Sequence, residues 1–204
     1  FAGLDPLKGG KSAIDETCRN ITAVGGKPHA LTDCLNFGNP EKPEKLYEFR
    51  EALKGIGDMA KALNLAVPSG NVSFYNETTY GSVLPAPTIL GVGIVEDIRK
   101  CVTTDFKDEG NPVYLVGKTK DEMGASLLWR RFGGEGGNVP DSDPEELSKN
   151  SDIVREAISS GLVKSCHDCS DGGAAVAVSE MCIGGNVGFE GTLPEDMPAE
   201  VFLF

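Results

Sequence analysis

The sequence predicts an α/β (α+β) chain made of two α/β units in succession, and three observations predict it. From Glu44 to Leu63 the apolar residues Leu46, Phe49, Leu53, Ile56, Ala60 and Leu63 recur at alternating steps of three and four, the spacing of one buried helix face. Between helical stretches lie short apolar runs of strand length, "HALTD", "PTILGVGIV", "PVYLVG" and "LVKSC". Between Glu96 and Asn111 the composition turns charged and turn-rich, which places a domain boundary there and divides the chain into residues 1–100 and 101–204.

The elements follow in order. Ile14, Cys18 and Ile21 give a helix over Lys11 to Val24, ended by the glycines and Pro28 of "VGGKP". Glu16 and Asn20, four apart, project together from a face away from that stripe. "HALTD" is a short strand that delivers Asp33 at its end. In "LAVPSGNVSFYNET" a strand is expected to break at Pro68, Ser69 and Gly70 into a turn carrying Asn71, Ser73, Asn76 and Glu77. "PTILGVGIV" reads as a buried strand whose glycines admit a neighbouring backbone. In the second unit "PVYLVG" is a strand, Asp121 to Arg131 a helix and "FGGEGGNVPDSDP" a flexible connection. Asp152 to Ser160 is a helix, "LVKSC" a strand and Gly172 to Cys182 a helix. No internal repeat is evident.

Composition excludes several classes of function. A chain of 204 residues that is 40% hydrophobic and 25% charged can bury a core, which argues against a disordered tail. The net charge of -12 opposes a nucleic-acid or anionic-membrane partner, although a divalent cation could still bridge the chain to phosphates. No apolar run reaches the roughly eighteen residues of a membrane span. The six cysteines of so large a chain read as reduced thiols, and the expected compartment is the cytoplasm. The start "FAGLDPLKGG" and the strand-like end "PAEVFLF" read as cuts within a longer chain.

Three stretches concentrate polar chemistry. "ALTDCLNFGNPEKP" packs Asp33, the amides Asn36 and Asn39 and two prolines between ordinary elements. "CHDCSDGGAAVAVSE" sets Asp168, Ser170 and Asp171 at a strand-to-helix turn before Gly172 and Gly173. Carboxylates beside a helix start suit a Mg²⁺ that binds phosphate, while a bland N-cap role for Asp171 stands equally open. Cys166 and Cys169 have zinc-like spacing but no second ligand pair, so they are expected to be ordinary thiols. His29 and His167 have no evident partner for base catalysis and suit packing roles. "FGGEGGN" lacks the strand before it and the Lys-Ser/Thr after it that a phosphate loop needs.

"ALTDCLNFGNPEKPE", "PSGNVSFYNET", "GNPVYLVGKTKDEMGAS" and "CHDCSDGGAAVAVSEM" resemble the second half of phosphoribosylformylglycinamidine synthases, ATP-dependent enzymes of purine synthesis. Aminoimidazole ribonucleotide synthetase and its other relatives share the strand-end Asp and the DGG helix start but lack "LNFGNPEKPE". The resemblance implies an aminoimidazole ribonucleotide synthetase-like two-domain unit, truncated at both ends, with an N-terminal barrel-forming sheet and a C-terminal α/β sandwich. It also implies that Asp33, Gly70 and Ser170 contact nucleotide, Asn71 binds Mg²⁺ and Ser73 touches formylglycinamide ribonucleotide. In larger members an acid and an amide four apart bind Mg²⁺ at a structural nucleotide, a pattern that Glu16 and Asn20 fit, with Asp168 as a further metal contact.

The implied reaction is amide activation. ATP phosphorylates the amide oxygen of formylglycinamide ribonucleotide, and ammonia displaces the phosphate to leave an amidine. The implied partners are the first repeat of the same chain and a glutaminase subunit or domain that supplies ammonia. The family's catalytic His belongs to the first repeat, so this chain alone is expected to be inactive and, with its sheet uncovered, to pair as a homodimer. A competing reading is a structural repeat that binds nucleotide without turning it over, and another is a different ATP-dependent member of the same superfamily.

Overall fold

The computed structural model describes residues 1–134 and 137–204; Glu135 and Gly136 of the expected flexible connection lie outside the described residues. Helix α1, Pro6–Ala23, begins earlier than its apolar stripe suggests, because the Asp5 carboxylate caps it by accepting from the Lys8 N–H at 3.0 Å and Pro6 fits the first turn. Helix α2, Pro43–Ala62, follows the expected bounds within a residue.

Strand β1, Lys27–Asn36, is longer than "HALTD" and continues three residues past Asp33. The cause is pairing on both sides: β2, Ala66–Ser73, lies parallel to it and β5, Ala86–Ile94, antiparallel, giving the order β2-β1-β5. Asp33 therefore sits inside a central strand rather than at a strand end.

Pro68 does not break β2 as expected. The strand lies at the sheet edge, where a missing N–H costs no ladder bond, and the register shifts between Ala30, paired with Ala66, and Thr32, paired with Ser69. The extra residue is absorbed as a bulge, so Asn71 and Ser73 are strand residues, not turn residues. A small hairpin, β3 (Glu77–Thr78) and β4 (Gly81–Ser82), follows.

Strand β5 is not buried on both faces. Its residues alternate between half-buried and exposed, and Leu90, Val92 and Ile94 stand 62%, 52% and 52% exposed on the side away from the helices. Its glycines admit helix side chains rather than a neighbouring backbone, since a Cβ at Gly91 or Gly93 would overlap Thr17 or Ile21 of α1.

The core lies between the sheet and the two long helices. It unites Ile14 and Cys18 of α1, Leu31 and Leu35 of β1, Phe37, and Ala52, Ile56, Met59 and Ala60 of α2. Leu147 joins the same cluster from helix α4, Pro144–Ser159, so the later half of the sequence completes the core of the earlier half.

Beyond Asn111 the expected strands are not formed. "PVYLVG" finds no neighbouring strand among the described residues, and Val113, Tyr114, Leu115 and Val116 stay exposed. "LVKSC" is reduced to one parallel bridge, Thr103 with Ser165. The helix expected over Asp121 to Arg131 contracts to α3, Leu127–Phe132, because Ala125 takes a φ of 63° and Ser126 starts the helix by capping Trp129 N. Helix α4 starts two turns before Asp152, where Asp143 accepts from Glu145 N at 2.9 Å and Pro144 opens the first turn. Helix α5 spans Gly173–Gly185, and the "PAEVFLF" run forms a short helix, α6 (Ala199–Leu203), instead of a strand.

Candidate nucleotide and substrate face

Alternation along β1 decides which residues meet. Leu31, Asp33 and Leu35 face the helices, whereas Thr32, Cys34 and Asn36 face the open side of the sheet. Paired residues on neighbouring strands share a face, so Gly70 lies beside Asp33 on the helix side, while Asn71 lies beside Cys34 and Ser73 beside Asn36 on the open side. The expected site residues are thus adjacent in the ladder but divided between two faces.

The Asp33 carboxyl atoms lie 2.5 Å from where a Cβ on Gly70 would stand. A residue without a side chain at position 70 is what lets this carboxylate lie across β2. On the open face the Thr32 hydroxyl donates to Ser69 O at 2.9 Å, and the Ser73 hydroxyl donates to Asn76 Oδ1 at 3.3 Å. Exposed Asn71 adds an amide next to exposed Cys34.

The "LNFGNPEKP" loop is held from within. Buried Phe37 packs edge-on against Phe49 at 5.3 Å, and Phe49 against Phe74 at 4.9 Å. Asn76 Nδ2 donates to Phe37 O at 2.9 Å, and Asn39 Oδ1 accepts from Glu41 N at 2.8 Å in an Asx turn. Glu77 ties the loop to the hairpin by accepting from Asn39 N at 2.9 Å, Ser82 Oγ at 2.7 Å and Lys42 Nζ at 3.0 Å. Ser82, the Asn39 N–H and Lys42 together hold the Glu77 carboxyl down at about 2. Glu77 and Asn76 thus hold the loop alongside its two prolines, and the Asn39 side chain serves its own loop. Their roles had no sequence signature beyond polarity near a hairpin.

The second cluster forms where α1 meets the 167–170 loop. Arg19 Nε donates to Asp15 Oδ1 at 2.6 Å, Arg19 Nη1 donates to Cys169 O at 2.5 Å, and the same nitrogen lies 3.7 Å from Asp168 Oδ2. Ser170 Oγ donates to Asp168 Oδ2, and His167 Nδ1 lies 3.4 Å from Asp168 Oδ1. Burial would lower the Arg19 pKa, yet Asp15, Asp168 and Glu16 hold it above the ordinary arginine value. His167 also has a partner that sequence reading missed, Glu180 Oε2 at 3.0 Å from Nε2. Asp171 does not cap α5: the N-cap is Gly172, with φ 84° and no side-chain cap.

Cys166 and Cys169 are free thiols, and burial, reinforced by Asp168, raises both. Among the described residues no group of three or more His, Cys, Asp or Glu side chains is gathered to hold a metal ion. The donor sets still suit a phosphate-bridged Mg²⁺, which keeps several waters and takes one or two protein oxygens beside those of a substrate. Asn71 offers one such oxygen on the open face. Glu16 and Asn20 stand exposed on α1 as a second pair, whereas Asp168 is already engaged by Arg19, Ser170 and His167.

No helix among the described residues is long and apolar enough to cross a membrane. The AIR synthase related protein N-terminal domain matches residues 1–95, and the AIR synthase related protein C-terminal domain matches residues 108–202. The phosphoribosylformylglycinamidine synthase subunit PurL of Anaeromyxobacter sp. (strain Fw109-5) is 49% identical over 184 residues, which take in 90% of this chain and 24% of that relative. The chain spans about a quarter of the length of the curated relatives it matches. T. maritima PurL complexed with ATP superposes with a TM-score of 0.68 at 18% identity, covering 99% of this chain and 32% of that one. T. maritima PurL complexed with FGAR gives 0.69 at 18% identity, covering 99% and 34%, a likeness of fold. With both domains matched in order along its length, the chain belongs to the AIR synthase related family.

Proposed function

We propose that this chain is part of an ATP-dependent phosphoribosylformylglycinamidine synthase, in the position of its second two-domain repeat. The observation that carries the reading is the β1–β2 ladder, which sets Asp33 against Gly70 and places Asn71 one step and Ser73 three steps further along, both on the open face. The PurL relative at 49% identity supports it. In this reading Asp33, Gly70 and Ser170 contact nucleotide, Asn71 a Mg²⁺ ion, and Ser73 formylglycinamide ribonucleotide. Glu16, Asn20 and Asp168 form a second, structural cation face. The boundary between the two domains falls near residue 100.

The amide oxygen of the substrate attacks the γ-phosphorus of ATP and ADP leaves. Ammonia then adds to the activated carbon, and phosphate departs with the former amide oxygen. Mg²⁺, when bound, neutralises charge on the transferring phosphates. The chain's own residues hold the reactants: Ser73 orients the amide substrate by hydrogen bonding, and Asp33, lying across Gly70, presents its carboxylate to the nucleotide. The exposed Leu90, Val92 and Ile94 suit burial against the sheet of the first repeat. In the isolated chain the same surface pairs with a second copy, and ammonia comes from a glutaminase.

The test is amidine formation by the whole enzyme with ammonia as donor. Ser73→Ala should raise the KM for formylglycinamide ribonucleotide about tenfold, the cost of one substrate hydrogen bond, and leave the KM for ATP unchanged. An unchanged KM for both substrates contradicts the assignment.

A further inference from the structure

One amide closes the far end of the β1–β2 ladder. Asn76 Nδ2 donates to Phe37 O at 2.9 Å and to Ser73 O at 3.0 Å, bridging the chain just past β1 to the last residue of β2. Both amide protons are thereby committed to main-chain carbonyls. The same carbonyls fix which way the amide points, since an oxygen in the place of Nδ2 would face two acceptors. Ser73 Oγ lies beside both amide atoms, 3.3 Å from Oδ1 and 3.2 Å from Nδ2. With no proton of Nδ2 left over, the Ser73 hydroxyl gives its own single proton to Asn76 Oδ1, and only its lone pairs remain for the open side. Asn76 is half-buried, and its main chain is held too, donating to Phe37 O at 3.3 Å and accepting from Val83 N at 3.0 Å. The amide is fixed before any ligand arrives.

We propose that Asn76 is a positioning residue for substrate: by taking the Ser73 proton it presents that hydroxyl as a hydrogen-bond acceptor. The group recognised at Ser73 is then a proton donor of formylglycinamide ribonucleotide, a ribose hydroxyl or an amide N–H, and not its phosphate or a carbonyl. A dianionic phosphate carries acceptors alone and finds no donor at this hydroxyl. This polarity rests on the reading of Ser73 as a substrate contact and adds the residue that sets its direction.

The test is the KM for formylglycinamide ribonucleotide in the whole enzyme, with ammonia as donor, for wild type, Ser73→Ala, Asn76→Ala and the double variant. Asn76→Ala frees the Ser73 hydroxyl among three rotamers and should raise that KM roughly threefold, with the KM for ATP unchanged. Added to Ser73→Ala, it should change the KM less than about twofold, because Asn76 acts through Ser73. A double variant at roughly thirty times the wild-type KM, the product of independent effects, overturns the positioning role, as does an Asn76→Ala KM equal to that of wild type. Should Asn76→Ala fail to fold, the polarity is read without it, from 2′-deoxy, 3′-deoxy and amide N-methyl analogues of the substrate. One analogue should lose about tenfold more against wild type than against Ser73→Ala. If none does so while Ser73→Ala still raises the KM, the acceptor assignment is overturned; if Ser73→Ala leaves the KM unchanged, the substrate contact itself is.

Discussion

Asp33 and Gly70 face each other across the β1–β2 ladder, and the carboxylate of the first fills the space that a side chain on the second would need. The contact couples a bulged edge strand to the central strand at the point where the chain is expected to meet nucleotide. Gly70→Ala must move either Asp33 or the edge of β2. The expected cost is about 1–3 kcal/mol in denaturant unfolding, as for overpacking elsewhere, together with weaker ATP binding. Unchanged stability and unchanged ATP affinity would show that the ladder tolerates a side chain there.

The edge-on aromatic cluster under the loop gives a second prediction. Phe37 is 1% exposed and lies in both the core cluster and the loop. Phe37→Ala should destabilise the chain by about 3–5 kcal/mol, since it removes a filled core site and the edge-on contact with Phe49. A loss below about 1 kcal/mol would mean that the loop is not part of the core.

Glu77 predicts a pH dependence. Its folded pKa, about 2, lies below the ordinary value of 4.5, so its contribution is fully present above about 4.5 and is lost as pH falls from there through about 2. Amide exchange in residues 77–82 should stay slow from neutral pH to pH 5 relative to the intrinsic rate, and protection should fall below pH 4. Glu77→Gln should show lower protection at neutral pH and little change on acidification. A wild-type hairpin as protected at pH 2 as at pH 7 would sever the carboxylate from the clamp.

Thiol reactivity separates buried from presented cysteines. Burial pushes the Cys18 thiol up to about 11, with Asp15 adding to the rise, whereas Cys34 is exposed on the open face beside Asn71. A maleimide titration of the native chain should modify Cys34 first and Cys18 last, by mass spectrometry of peptides. Early labelling of Cys18 would contradict the packing of α1 on the sheet.

The helices of the first half were legible because their apolar periodicity is long. The stripe from Leu46 to Leu63 is the clearest instance, and α2 matches it within a residue at each end. Strand ends were less legible, since β1 is extended by partners distant in sequence: nothing local in "CLN" reveals that Ser73 and Ala86 pair with Asn36. Pro68 misled for a related reason, because its cost depends on whether the strand is central or at an edge. "PVYLVG" has strand composition without a neighbouring strand. The proposed site residues Asp33, Gly70, Asn71 and Ser73 were recognisable as motif, but their division between two faces follows from register alone. Arg19 and Glu180 were missed, and Glu77 was named only as a turn residue, because each acts through a partner far along the chain or on a facing element.

The central claim, that the open face carrying Asn71 and Ser73 serves amide activation, is tested most directly by the turnover of the whole enzyme bearing Asn71→Ala. Asn71 is exposed and contributes to no core cluster, so unfolding midpoints should stay the same. Turnover of formylglycinamide ribonucleotide at saturating ATP and Mg²⁺ should fall about ten- to a hundredfold, the scale of loss when support for a bound metal is removed. Turnover within about twofold of wild type would take Asn71, and the open face with it, out of the chemistry.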